Sequence, residues 1–263
     1  MMAIKQRRKN VNLQTLILFP LIFISCAKIQ INTPSSRFIT SEAQGKTLSG
    51  SVRLEMQSGT EGTLDFQNEK TDNPLELRNN VTNLGLSLDL GLTQKIDFFL
   101  KGNSLAPATY NLKYQILGPS RKEATKGSHS MAISLGYGQE YNTELNQDDS
   151  IFNDSNDNIT AEVEQSLLEA SLIYGHRTHE DVLVYTSVQA LKHDINFEFE
   201  SSNSLNGKKL TLNSWVYGLS LGAIRYYKKF YLNLEISAQN TNWTHNDAIT
   251  YAFVNLALGY KWD

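Results

Sequence analysis

Residues 84–102 read LGLSLDLGLTQKIDFFLKG. Leu84, Leu86, Leu88, Leu90 and Leu92 occupy every second position, against Gly85, Ser87, Asp89 and Gly91. After a short polar stretch, Thr93 to Lys95, the alternation resumes with Ile96, Phe98 and Leu100 against Asp97, Phe99 and Lys101. Successive side chains of a strand point to opposite faces, so a period of two means strands with one apolar face and one small or polar face. Two such runs joined by a few polar residues predict an antiparallel hairpin.

The pattern recurs along the rest of the chain. Val52, Leu54 and Met56 alternate with Arg53, Glu55 and Gln57; Tyr110 to Ile116, Met131 to Tyr137, Leu168 to Tyr174, Trp215 to Ala223, Phe230 to Ala238 and Ala252 to Trp262 behave alike. Val182 to Phe199 is strand-like with less distinct faces, Leu183, Tyr185 and Leu191 lying opposite Val182, Val184 and Val188. Ten strands are predicted, at 48–57, 83–92, 96–103, 108–117, 129–138, 165–175, 182–199, 210–225, 229–241 and 250–262. A candidate extra hairpin arm at Gly62 to Phe66 sets the range at 8 to 12 strands. The connections fall into two classes. Thr93 to Lys95, Gly118 to Ser128, His176 to Asp181 and Tyr226 to Lys228 lie on one side and are mostly short. Gly59 to Thr82, Asn103 to Pro107, Gln139 to Glu164, Glu200 to Lys209 and Asn242 to Ile249 lie on the other.

Composition narrows the architecture. The mean hydropathy of the 263 residues is −0.35, and no run of roughly 20 apolar residues follows the N-terminus, which excludes helical membrane spans. With 12 Tyr, 11 Phe and 3 Trp the chain is too aromatic to be disordered. One Cys excludes an internal disulfide and any multi-cysteine metal site. Lys5, Arg7, Arg8 and Lys9 precede the apolar stretch Val11 to Ile24, the make-up of an export signal. Once the 4 basic residues before Cys26 are removed, 20 Lys and Arg face 27 Asp and Glu, about −7, which argues against nucleic acid as a partner. Ala27 to Lys46 has no period and carries Thr, Ser, Pro and Gly, so it reads as a tether.

A soluble sandwich and a membrane barrel both alternate, and what each face contains separates them. The non-apolar face here is mostly Gly, Ser, Ala, Asn and Gln, which suits the inside of a narrow barrel. It also offers Arg53, Lys101, Lys113 and Lys261 against Glu55, Asp89, Asp97, Glu169 and Glu235, a predicted interior ion-pair network that plugs the lumen. The apolar face lasts about the 9 to 11 residues that a tilted strand needs to cross a bilayer. Tyr174, Tyr226, Tyr227, Phe230, Tyr260 and Trp262 gather near one set of strand ends, and Tyr137, Tyr141, Trp215 and Trp243 near the other, as two interfacial girdles would. The reading is an all-β, antiparallel up-and-down transmembrane β-barrel.

Two stretches resemble known families. Phe23-Ile24-Ser25-Cys26 resembles the lipobox of bacterial lipoproteins, which implies acylation of Cys26; the other reading is an ordinary signal peptide that leaves Cys26 as a free thiol. VNLALGYKWD, at residues 254–263, resembles the terminal β-signal of Gram-negative outer-membrane proteins through Leu256, Leu258, Tyr260 and Trp262, with Asp263 trailing the aromatic. LGLSLDLGLTQKIDFFLKG and YNLKYQILGPS also look like strands of outer-membrane β-barrels. These resemblances imply insertion by the barrel-assembly machinery, contact with outer-membrane lipid, and barrel termini facing the periplasm. The division expected is a signal peptide at 1–25, a lipidated N-terminus and tether at 26–46, and a barrel at 47–263.

Chemistry is weakly signalled. Gly218-Leu219-Ser220-Leu221-Gly222 matches G-x-S-x-G, but that motif needs a strand-to-helix elbow, and here it falls inside a period-two strand. Ten-stranded outer-membrane proteases carry Asp-x-Asp and Asp-x-His pairs, and this chain has neither. His129 beside Ser130 is the adjacent pair to weigh for a barrel lipid hydrolase; His176 and His179 fall in a turn and His245 in a loop. The loop from Gln139 to Glu164 carries eight acids and no base, and Asp154, Asn156 and Asn158 imitate the start of a calcium loop that lacks its Gly and closing Glu. The expectation is a monomer with no catalytic residues, cofactor or metal, acting in a structural or surface-interaction role with a largely plugged lumen. A small-solute pore and a lipid-anchored soluble barrel holding an apolar ligand are the alternatives.

Overall fold

The computed structural model describes residues 29–34, 37–64, 75–103, 106–147, 159–201, 207, 209–244 and 248–262. Eleven strands run through these residues: β1 (Ile29–Pro34), β2 (Gly50–Leu64), β3 (Leu75–Gly91), β4 (Ile96–Asn103), β5 (Ala106–Leu117), β6 (His129–Gln147), β7 (Ile159–His179), β8 (Val182–Ser201), β9 (Lys209–Tyr227), β10 (Phe230–Trp243) and β11 (Ile249–Trp262). Each strand from β2 to β11 pairs antiparallel with the next, and β11 returns to β2, so ten strands close on themselves. Between Gly50 and Met56 on β2 and Leu256 and Trp262 on β11 the closing ladder removes the two free sheet edges. The closing register sets Leu256 opposite Met56, Leu258 opposite Leu54 and Tyr260 opposite Val52.

Alternation decides which side chains face outward. Leu54, Leu86, Leu135, Leu219, Leu234 and Leu258, from six different strands, are between 47% and 62% exposed. Their neighbours Arg53, Glu55, Ser87, Ser134, Ser220, Glu235 and Ala257 are buried inside. Soluble monomers rarely expose an apolar patch beyond a few hundred Å². Here the apolar belt runs around the barrel, and each CH₂ left in water would cost about 0.8 kcal/mol. The belt therefore has the polarity of a surface solvated by hydrocarbon, with the small and polar face turned in.

The barrel has a turn end and a loop end. Residues 92–95, 118–128, 180–181 and 228–229 connect strands at the turn end, where β2 begins and β11 finishes. At the other end, the loop end, β2, β4, β6, β8 and β10 finish and β3, β5, β7, β9 and β11 begin. Several stretches that read as loops in the sequence are strands here: β2 runs to Leu64, β3 starts at Leu75, β6 continues to Gln147 and β7 starts at Ile159. Gly62 to Leu64 pair with Leu75 to Leu77, so the suspected extra arm is the far end of β2 and β3, and the barrel count is ten.

The physical reason is an inversion of polarity along the longest strands. Beyond the belt, Glu162, Glu164, Asn196, Glu198 and Thr211 point outward, while Val163, Ile195, Phe197 and Leu212 point inward and are buried. Leu167, Leu191 and Val216 form an apolar cluster at the start of this region. Strands of this make-up are those of a water-surrounded barrel, so the loop end projects past the belt. Two aromatics assigned to the girdles also belong inside. Tyr226 and Trp243 are buried, since the alternation of β9 and β10 places them inward, with Tyr227 and Phe230 outside. Trp243 lies against the His193 ring at 5.5 Å.

Candidate functional site

Of the interior charges expected from the sequence, Arg53, Lys101 and Lys113 meet Glu55 and Asp97. Arg53 Nε lies 3.2 Å and Lys101 Nζ 3.5 Å from the Glu55 carboxylate, and Lys113 Nζ lies 2.9 Å from that of Asp97. Ser87 Oγ donates to Glu55 at 2.6 Å. Tyr185 Oη donates to Glu235 at 2.7 Å. Around these groups the glycines and serines of the strands leave a narrow channel.

Residues 37–44 occupy that channel. The composition of 27–46 gives a tether, and the structure instead gives β1, paired with the loop-end part of β2, followed by a buried segment inside the barrel. Arg37 to Gln44 are all buried, Phe38, Ser41 and Ala43 completely. Hydrogen bonds and ion pairs join them to six strands, β2 to β7. Arg37 Nε lies 2.8 Å from Glu169, and Arg53 Nη1 donates to the Phe38 carbonyl at 2.6 Å. Ile39 joins an apolar cluster with Phe99, Ile173, Leu183, Tyr185, Ile224 and Tyr231. Arg177 donates through Nε and Nη2 to both oxygens of Glu42, at 2.7 and 2.6 Å, the bidentate geometry that suits guanidinium and carboxylate.

The backbone of the segment is satisfied in the same way. Lys113 Nζ donates to the Glu42 carbonyl and the Ala43 N–H donates to Gln115 Oε1, each at 2.7 Å. The Arg121 N–H donates to the Ala43 carbonyl at 2.9 Å, and the Gln44 N–H donates to the Asp97 carboxylate at 3.1 Å. A segment without a strand ladder needs such side-chain partners, because a buried unpaired amide is costly. Phe38 holds a φ of 45°, a left-handed conformation that costs a bulky residue roughly 1–2 kcal/mol and persists only where its surroundings fix it.

Space for the segment is built into β7 and β3. A Cβ on Gly175 would fall 2.1 Å from Ser41 Oγ, and one on Gly91 2.3 Å from the Lys46 carbonyl oxygen. Two gaps beside the segment are small. One, lined by Arg37, Lys101 and Glu169 among others, and another, lined by Glu42, Arg53 and Asp89 among others, measure about 10 Å³ each. That is at or below the volume needed to admit one water. At the turn end a cavity of about 570 Å³ opens between Arg121, Lys122, Arg177, Glu180, Asp181, Lys228 and Lys261.

The other sequence candidates are placed as follows. Leu256, Leu258 and Tyr260 point outward on β11, and Trp262 Nε1 donates to the Leu48 carbonyl at 3.0 Å. Gly218, Ser220 and Gly222 line the interior of β9, with Ser220 Oγ 2.6 Å from Ser187 Oγ. Ser130 turns inward to Ser41 at 2.7 Å, whereas His129 stacks on His176, ring centroids 4.4 Å apart, and meets Tyr174 Oη at 2.6 Å. Among the described residues no group of three or more His, Cys, Asp or Glu side chains is placed to hold a metal. Cys26, Asp154, Asn156, Asn158 and His245 lie outside the described residues.

No protein-family model matches the chain, and no curated protein matches it. Among solved structures it is similar to the outer membrane protease OmpT of Escherichia coli, at 11% identity and a TM-score of 0.40, over 90% of this chain and 98% of that one. It is similar to Ail, the attachment invasion locus protein of Yersinia pestis, solved with the heparin analogue sucrose octasulfate, at 13% identity and a TM-score of 0.37, over 82% of this chain and 99% of that one. At such scores neither likeness carries weight for function.

Proposed function

We propose that the protein is an outer-membrane β-barrel of a Gram-negative bacterium, non-enzymatic, with its lumen closed by its own N-terminal segment. Its role on this reading is structural or exercised through surface interaction at the loop end. The observation that carries the proposal is the combination of a lipid-type exterior with a lumen filled by Arg37 to Gln44. The gaps of about 10 Å³ beside that segment speak against a small-solute pore. The outward belt speaks against a soluble barrel, whose exterior would be polar throughout.

The short connections belong on the periplasmic side and the long ones outside, the asymmetry usual for bacterial barrels. Outer-membrane lipid surrounds the belt, the barrel-assembly machinery inserts the chain as a monomer, and Cys26 carries the acyl group that its lipobox-like context implies. A refolded chain of residues 29–263, which has no acyl anchor, tests the membrane assignment. It is expected to stay folded only in detergent or lipid bilayers. A stable monomer in detergent-free buffer would refute the assignment.

A further inference from the structure

We infer that the N-terminal part of the processed chain passes through its own barrel and is displayed at the loop end, opposite the C-terminus. Contacts along β7 give the direction of passage. Arg37 meets Glu169, Ser41 packs on Gly175 and Glu42 meets Arg177, so the segment advances steadily toward the turn end. It leaves the lumen there, where the Leu48 N–H donates to the Gly91 carbonyl at 2.8 Å and β2 begins at Gly50.

The other end of the segment is fixed as firmly. β1 pairs antiparallel with β2 from Gly59 to Leu64, in register Thr33 to Thr60 and Ile29 to Leu64. β11 pairs with β2 only from Gly50 to Met56, so β1 occupies the β2 edge that β11 leaves open at the loop end. Length permits the passage. The strand from Gly50 to Thr60 rises about 33 Å at 3.3 Å per residue, and the residues between Thr33 and Leu48 can extend to about 50 Å.

With the turn end in the periplasm, as proposed above, the chain preceding Ile29 starts from the cell surface. An acyl group on Cys26, three residues or at most ~10 Å from Ile29, then belongs to the outer leaflet; the apolar band is about 25 Å tall. This differs from the usual picture of a lipoprotein tether, in which the acylated end stays on the side where the barrel chain begins. It also makes the N-terminus part of whatever surface the loop end offers to a partner.

The test uses the full chain with a protease-cleavable epitope at one of three places: between Ala27 and Lys28, in the 202–206 connection, or at Lys126 in a turn. Folding of each variant is checked by its heat-modifiable gel mobility. On intact cells the N-terminal and 202–206 epitopes are expected to be cleaved, and the Lys126 epitope only after permeabilisation. Cleavage of the N-terminal epitope together with the Lys126 epitope, while 202–206 is cleaved outside, would overturn the passage through the lumen. Exposure of Lys126 on intact cells with 202–206 shielded would overturn the orientation instead, and in that case the N-terminal epitope follows 202–206 if the passage is right.

Discussion

Replacing residues 37–44 by a Gly-Ser linker is expected to make the barrel pass ions in a planar bilayer, where the parent is expected to pass none. The segment lies in the channel with Phe38, Ile39 and the Arg37 and Glu42 ion pairs, and two gaps beside it barely admit a water. A linker without charged or large apolar side chains has little to hold it there. Glu169, Lys113 and Arg177 would lose their partners from the segment and become hydrated. Stability is the smaller readout, because fixing each residue of the segment costs roughly 1–2 kcal/mol of backbone entropy that the linker variant no longer loses. That gain offsets part of the lost contacts. Single-channel steps in the variant and none in the parent are the expected outcome, and equal conductance of the two would show that the segment does not close the lumen.

Glu55→Ala is expected to destabilise the barrel by about 3–5 kcal/mol, the cost of leaving buried charge without its counter-charge. Glu55 is completely buried and serves two cations, Arg53 and Lys101, while accepting from Ser87 and Gln57. Its removal takes from both cations the carboxylate buried beside them, in an interior where both side chains are buried. Combining Glu55→Ala with Lys101→Met should restore part of the loss, since one of the two cations that lost the Glu55 carboxylate then disappears. Urea unfolding in a lipid bilayer reads both effects. An unchanged midpoint for Glu55→Ala would mean that the interior is wet enough to screen these charges.

Much of this architecture is written in the period of two. Strands such as β10 and β11 lie in the belt over most of their length and β3 does so from Leu84 to Leu90, so Leu86, Leu234 and Leu258 announce the outer face and Ser87, Glu235 and Ala257 the inner one. The interior ion pairs of Glu55 and Asp97 are legible for the same reason. Where the strands leave the belt, the rule changes sign. Along β8 the outward residues pass from Val188 to Asn196 and Glu198, and the inward ones from Ser187 to Ile195 and Phe197. A strand whose faces exchange polarity half-way shows blurred alternation, and its polar ends read as loop.

The luminal segment is illegible for a different reason. Residues 37–44 form no ladder with a single neighbour; their partners are Glu169, Arg53, Ser130, Arg177, Lys113 and Gln115, spread over the chain. Surroundings that change at each residue leave no period in the sequence, and Ser, Thr, Glu and Gln in such a place look like a solvated tether. The one local hint is the run Arg37-Phe38-Ile39, a charge beside two large apolar residues in an otherwise polar stretch. Gly91 and Gly175, small where the segment approaches, become informative only once the channel is in view.

The central claim is that the even face of β10 meets lipid. Nitroxide labels placed singly at residues 232, 234, 236 and 242 of a refolded chain with Cys26 replaced, reconstituted in vesicles, read that directly. Collision with oxygen, which concentrates in the bilayer, should be highest at 234, and collision with a water-soluble nickel chelate should be negligible at 232 to 236 and rise at 242. Free access of the chelate to 234 would contradict a membrane-spanning barrel.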